Sequence, residues 1–81
     1  MFMFINKTST GQNNLCGKAI ENRRKEMGKS QRQLADILQI AGLDIDKNAI
    51  QRIECGKRFV TDIELRALAK IFDVTCDELL N

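Results

Sequence analysis

The chain has 81 residues, 43% hydrophobic and 30% charged, with a formal net charge of +2. A core of this size buries only about 60–65% of the surface of the unfolded chain, which bounds the protein to one domain and excludes a two-domain enzyme. With no His, Trp, Tyr or Pro, histidine general-base catalysis, Ser-His-Asp triads and His-Cys zinc sites lack their central residue, while the apolar and charged shares argue against both disorder and a membrane span.

The net charge hides a division. Residues 1–14 carry only Lys7, residues 15–60 carry ten basic and six acidic side chains, and residues 61–81 carry two basic and five acidic ones. A basic body with an acidic end suits a surface that meets a polyanion on one side, although such asymmetry also arises without a partner. Cys16, Cys55 and Cys76 are odd in number, far apart and outside any Cys-x-x-Cys pattern. They indicate neither a disulfide framework nor a zinc site, so no metal or cofactor is expected, and a reducing cytosol is the expected home.

Taken in chain order, Met1 to Ile5 is apolar but has no basic flank and is broken at Asn6-Lys7, too short for the core of a signal peptide. Residues 1–13 are expected to form a flexible tail, with a dimer contact or an added strand as alternatives, and residues 14–81 a folded domain. Asn13 or Asn14 can cap a first helix over 14–27, which stops at Gly28 in a left-handed conformation. Ser30 with Gln33 opens a second helix over 31–41, although Lys29 before it cannot supply the usual apolar staple to Leu34. Asp46 caps a third over 47–54, Thr61 with Glu64 a fourth over 62–72, and Thr75 with Glu78 a fifth over 76–80. The apolar pairs Ile45 with Ile50, Val60 with Leu65 and Val74 with Leu79 are spaced as staples. Leu34, Ile37, Leu38 and Ala41 form one helical stripe, and Leu65, Leu68, Ala69, Ile71 and Phe72 another. No stretch alternates with period two, so the expected fold is all-α.

Between the second and third helices lies a turn of about four residues containing Gly42, the requirement of a helix-turn-helix. With Ile50 at zero and about 100° per residue, Ile53 and Glu54 fall on the buried side of the third helix; Asn48, Gln51 and Arg52 fall on the outer side. Lys47 sits at its N-terminal flank. Arg matches guanine O6 and N7, and Asn or Gln matches adenine N6 and N7, so this face could read bases in a major groove. An ordinary solvated face carries similar residues, and the face alone leaves both readings open. Gln31 and Arg32 stand at the N-terminus of the second helix, where free N–H groups favour phosphate, and Lys57 and Arg58 follow the third helix directly. Phosphate contacts on both flanks are what fix register on a duplex.

Four motifs in this order, Ser30-Gln-x-x-Leu-Ala35, Ile50-x-x-Ile-Glu-x-Gly-Lys-Arg58, Leu65-x-x-Leu-Ala-x-x-Phe72 and Val74-Thr-x-Asp-Glu-Leu-Leu80, resemble the helix-turn-helix domain of the Cro and phage-repressor (XRE-type) transcription regulators over about residues 15–80. The resemblance implies a five-helix, lambda-repressor-like DNA-binding domain with the helix-turn-helix in helices two and three. It implies that Gln31 grips a phosphate, that Lys47, Asn48 and Arg52 read bases, and that Lys57 and Arg58 hold phosphate. It also implies that Glu54 pairs with Arg24, a partner the wheel demands independently, because a carboxylate about 40° from Ile50 is partly buried. The span between Leu38 and Ile50 is longer than the family's usual turn, and helix two is expected to gain about one turn.

The function expected is a sequence-specific double-stranded DNA-binding regulator, a repressor occupying a twofold operator, cytoplasmic and nucleoid-associated, with no catalytic residues. No further domain is expected after Asn81, so a weak or DNA-assisted homodimer would use the last helix or the Phe2 to Ile5 tail. The alternative is an antitoxin-type interaction protein that neutralises a toxin partner and autoregulates its operon.

Overall fold

The computed structural model describes residues 7–81, and among them every regular element is helical: α1 Gly17–Glu26, α2 Gln31–Ile40, α3 Lys47–Glu54, α4 Asp62–Phe72 and α5 Cys76–Leu80. The Phe2 to Ile5 tail lies outside the described residues. Each helix from α2 onward begins where a side-chain oxygen takes a backbone N–H left free by the first turn. Ser30, Asp46, Thr61 and Thr75 accept from Gln33, Ala49, Glu64 and Glu78 respectively. The boxes at Ser30 and Thr61 are reciprocal, but the one at Thr75 is half formed. There the Glu78 carboxylate turns away from the Thr75 backbone, accepting from the Thr75 hydroxyl at 3.4 Å and facing Arg23 at 3.5 Å.

α1 starts three residues later than the sequence indicates. Asn14 Oδ1 accepts from the Gly17 N–H at 2.8 Å, which moves the first helical turn to Gly17, while the same side chain's amide donates away from α1 to the end of α3. Gly17 itself is needed because a Cβ there would run into the Ile53 carbonyl oxygen. At the other end Gly28 takes φ +69, and its N–H and that of Lys29 donate back to Lys25 and Arg24 at 3.0 and 3.2 Å. This left-handed stop uses carbonyls that the helix leaves free.

α2 ends at Ile40 with Ala41 as its C-cap, and Asp46 caps α3, so residues 42–45 make the turn between the caps. Leu43 N–H donates to the Leu38 carbonyl at 2.9 Å, Gln39 Nε2 donates to the Ile45 carbonyl at 2.9 Å, and Ile45 is buried. A buried staple residue and two ties to α2 make this a fixed turn.

Between the helices lies one core. Ile20 of α1, Leu34 and Leu38 of α2, Ile50 and Ile53 of α3, Leu68 of α4 and Leu79 of α5 are fully buried, with Cys16, Ala35, Ile45 and Ala69 beside them. Each fully buried aliphatic side chain contributes about 1.5–3 kcal/mol relative to exposure. Four of the seven belong to α2 and α3, so the packing that stabilises the domain also fixes the outward direction of α3.

Candidate nucleic-acid interface

Burial of Ile50 and Ile53 leaves the opposite face of α3 in solvent. Lys47, Asn48, Gln51 and Arg52 are all exposed. Neither Lys47 nor Arg52 has a carboxylate partner among the described residues, so both cations are available to an anion or a base edge.

The end of α3 is anchored from the inside. Glu54 accepts from Arg24 Nε and Nη2 at 2.7 and 3.0 Å and from Gln31 Nε2 at 3.0 Å, while Arg24 Nη1 donates to the Lys29 carbonyl at 2.8 Å. The Glu54 and Arg24 side chains are 2% and 10% exposed. A carboxylate this deep needs opposite charge and several donors, and it has both. The hydrogen bonds to Glu54 push the guanidinium's affinity for its proton above the ordinary arginine value. One ionic node therefore joins α1, the start of α2 and the end of α3, and holds the Lys29 backbone where the apolar staple is missing.

Gln31 is placed differently from its expected role, because its side-chain amide is committed to Glu54. What it offers outward is its backbone N–H at the first turn of α2. Beside it Arg32 is exposed and without an ion-pair partner among the described residues.

The two cations after α3 part company. Lys57 is exposed and has no ion-pair partner among the described residues. Arg58 departs from the expected phosphate pair: Nη1 and Nη2 donate to Glu64 Oε1 and Oε2, each at 2.9 Å, and Nη1 also reaches the Phe59 carbonyl at 3.0 Å. The Arg58 and Glu64 side chains are 28% and 10% exposed. Arg58 thus ties the exit of α3 to the first turn of α4. Its hydrogen bonds, followed by the Thr61 N–H, hold the Glu64 carboxyl below its ordinary range.

Sequence reasoning assigned Asn13 and Asn14 only to capping α1 and missed what else they do. Asn13 N–H and Nδ2 donate to the Gly56 and Lys57 carbonyls at 2.8 and 2.9 Å; Asn14 Nδ2 donates to the Ile53 and Arg58 carbonyls at 3.0 and 2.8 Å. A turn in which the Gly11 N–H donates to the Thr8 carbonyl and the Thr8 N–H to the Gln12 carbonyl precedes them, and Gln12 lies over Gly56. Residues 8–14 are therefore docked on the end of α3, where a flexible tail was expected up to residue 13. The doublet before a helix was the only signal of this, and it does not reveal a partner some 40 positions away.

Exposed base-matching side chains on one helix, with a cation on each flank and free N–H groups at the start of α2, form a surface suited to the groove and backbone of a duplex. No described helix is long and apolar enough to cross a membrane, and no group of three metal-ligating side chains lies together among the described residues. A family model described as helix-turn-helix matches residues 20–79. No curated protein and no solved structure matches the chain.

Proposed function

Because the chain belongs to the Cro/C1-type (XRE) helix-turn-helix family of DNA-binding regulators, we propose that it represses transcription inside the cell by occupying a specific, twofold operator in double-stranded DNA. In this reading α3 enters the major groove, where Arg52 pairs with a guanine and Asn48 and Gln51 with adenines, and Lys47 reaches a base or its phosphate at the N-terminal end. Lys57, Arg32 and the Gln31 N–H hold phosphates on either side. Arg24 with Glu54, and Arg58 with Glu64, keep those groups in place from within the fold. The observation that carries the reading is the split of α3 itself, with Ile50 and Ile53 fully buried and its opposite face exposed, beside two separated phosphate-competent flanks.

A protein partner is the second part of the reading. Ile63, 71% exposed, lines an open groove of about 190 Å³ with Ala41, Arg66, Ala67, Lys70 and Ile71, and Ile40, next to Ala41 in the chain, is 88% exposed. Exposed aliphatic side chains at a groove flanked by Arg66 and Lys70 support a contact with a second copy, weak in solution and strengthened on DNA. A toxin partner is the competing occupant, and a toxin gene adjoining this one would favour it.

The function is tested by selecting bound sequences from random duplex DNA. Recovery of a motif with twofold symmetry and half-sites about 34–36 Å apart is expected. On the best sequence, affinity falls about 10³–10⁵-fold between 50 and 200 mM salt if six to ten phosphates are contacted. Equal binding to every duplex, with no motif recovered, would remove the operator from the reading.

A further inference from the structure

The carbonyls of Ile53, near the end of α3, and of Gly56, Lys57 and Arg58 after it are all held by two adjacent asparagines. Asn13 takes Gly56 through its N–H at 2.8 Å and Lys57 through Nδ2 at 2.9 Å, and Asn14 Nδ2 takes Ile53 and Arg58 at 3.0 and 2.8 Å. From the other side the Arg52 carbonyl accepts from the Lys57 and Arg58 N–H groups at 2.8 and 3.3 Å. The backbone between Arg52, on the exposed face of α3, and Lys57, a cation with no ion-pair partner among the described residues, is thus bonded along both edges. Both asparagines lie before residue 20, where the match to the family begins.

We infer that Asn13 and Asn14 are positioning residues for the DNA contact: they fix the offset between the base-facing Arg52 and the phosphate-facing Lys57. The inference rests on the reading of α3 as the groove helix. Six bonds, of 2.8 to 3.3 Å, set where the Lys57 Cα sits relative to α3. A lysine on a loose loop finds a phosphate only after ordering that loop, and a clamped loop has already done so. Asn13 also separates position from stability. Its Oδ1 is buried with no hydrogen-bond partner among the described residues, so its replacement removes an unsatisfied acceptor along with one donor to a solvent-exposed carbonyl. Asn14, which makes three side-chain bonds and sets the start of α1, offers no such separation.

The test uses the full chain, a mixed-sequence DNA duplex and the variants Asn13→Ala, Lys57→Ala and both together. Asn13→Ala is expected to melt close to the parent and to lose about one phosphate contact. The parent-to-variant affinity ratio should then shrink about 3- to 4-fold between 50 and 200 mM salt. Lys57→Ala should show the same change, and the double variant no more than either single one, because both act through one contact. Asn14→Ala is followed by backbone ¹⁵N relaxation in its folded fraction, where faster motion of Lys57 to Phe59 is expected. An unchanged salt slope in Asn13→Ala, additive effects in the double variant, or a rigid loop in Asn14→Ala would overturn the inference while leaving DNA binding intact. No binding by the parent chain would overturn the reading beneath it.

Discussion

The Arg24 guanidinium of α1 and the Glu54 carboxylate of α3 meet through two hydrogen bonds, of 2.7 and 3.0 Å, with side chains 10% and 2% exposed. Removing one partner of such a pair leaves a buried charge uncompensated, at about 3–5 kcal/mol. Arg24→Ala is therefore expected to lower stability by about that much, read from the denaturant midpoint. An unchanged midpoint with lost DNA binding would place Arg24 on the nucleic acid instead.

Lys57 and Arg58 are neighbours with different expected effects. Lys57→Ala should leave the melting temperature near its parent value and weaken every duplex alike, because a phosphate contact carries no base information. Arg58→Ala breaks a bidentate pair with Glu64 that is only partly screened and should lower the melting temperature as well. Calorimetry of the two variants beside their DNA affinities separates them. Equal melting of both would contradict the structural part given to Arg58.

The Glu64 carboxyl is held below its ordinary value, chiefly by Arg58. Its folded pKa is thus below the unfolded one, about 4.3. The stabilisation is complete above the unfolded value and is lost as pH falls through the folded one. Glu64→Gln should reduce stability at neutral pH and flatten the loss of stability as pH falls below about 5. Urea titrations at several pH values would read this. A mutant curve parallel to the parent's would contradict it.

The three cysteines should react in order of exposure. Cys55 is exposed, Cys76 intermediate and Cys16 buried, with burial pushing the Cys16 thiol's pKa up. Because the thiolate is the nucleophile, alkylation followed by mass spectrometry should modify Cys55 first and Cys16 only on unfolding. Early modification of Cys16 would mean that the docking of residues 8–14 opens readily.

The helices were legible in the sequence because their ends are written locally. Ser30, Asp46, Thr61 and Thr75 act within three residues of themselves, and Gly28 acts at its own φ. The outward face of α3 was legible for the same reason, since Ile50 and Ile53 set the buried side by spacing alone. What escaped depends on distance across the fold. Nothing near Asn13 indicates that it meets Lys57, and the pairing of Arg58 with Glu64 exists only once α4 is in place. Glu64 was read as a capping residue, and it is one, but its second oxygen had an unseen use. Gln31 likewise has a backbone role fixed by its helix position and a side-chain role fixed only once Glu54 arrives.

The most direct test of the proposed function is the affinity of Arg52→Ala, against the parent chain, for the selected duplex and its single-base variants. Preference is expected to relax at one base pair per half-site, by about 1–3 kcal/mol, with the other positions still discriminated. A uniform loss across all variants, with the base preferences unchanged, would contradict it and remove Arg52 from the bases.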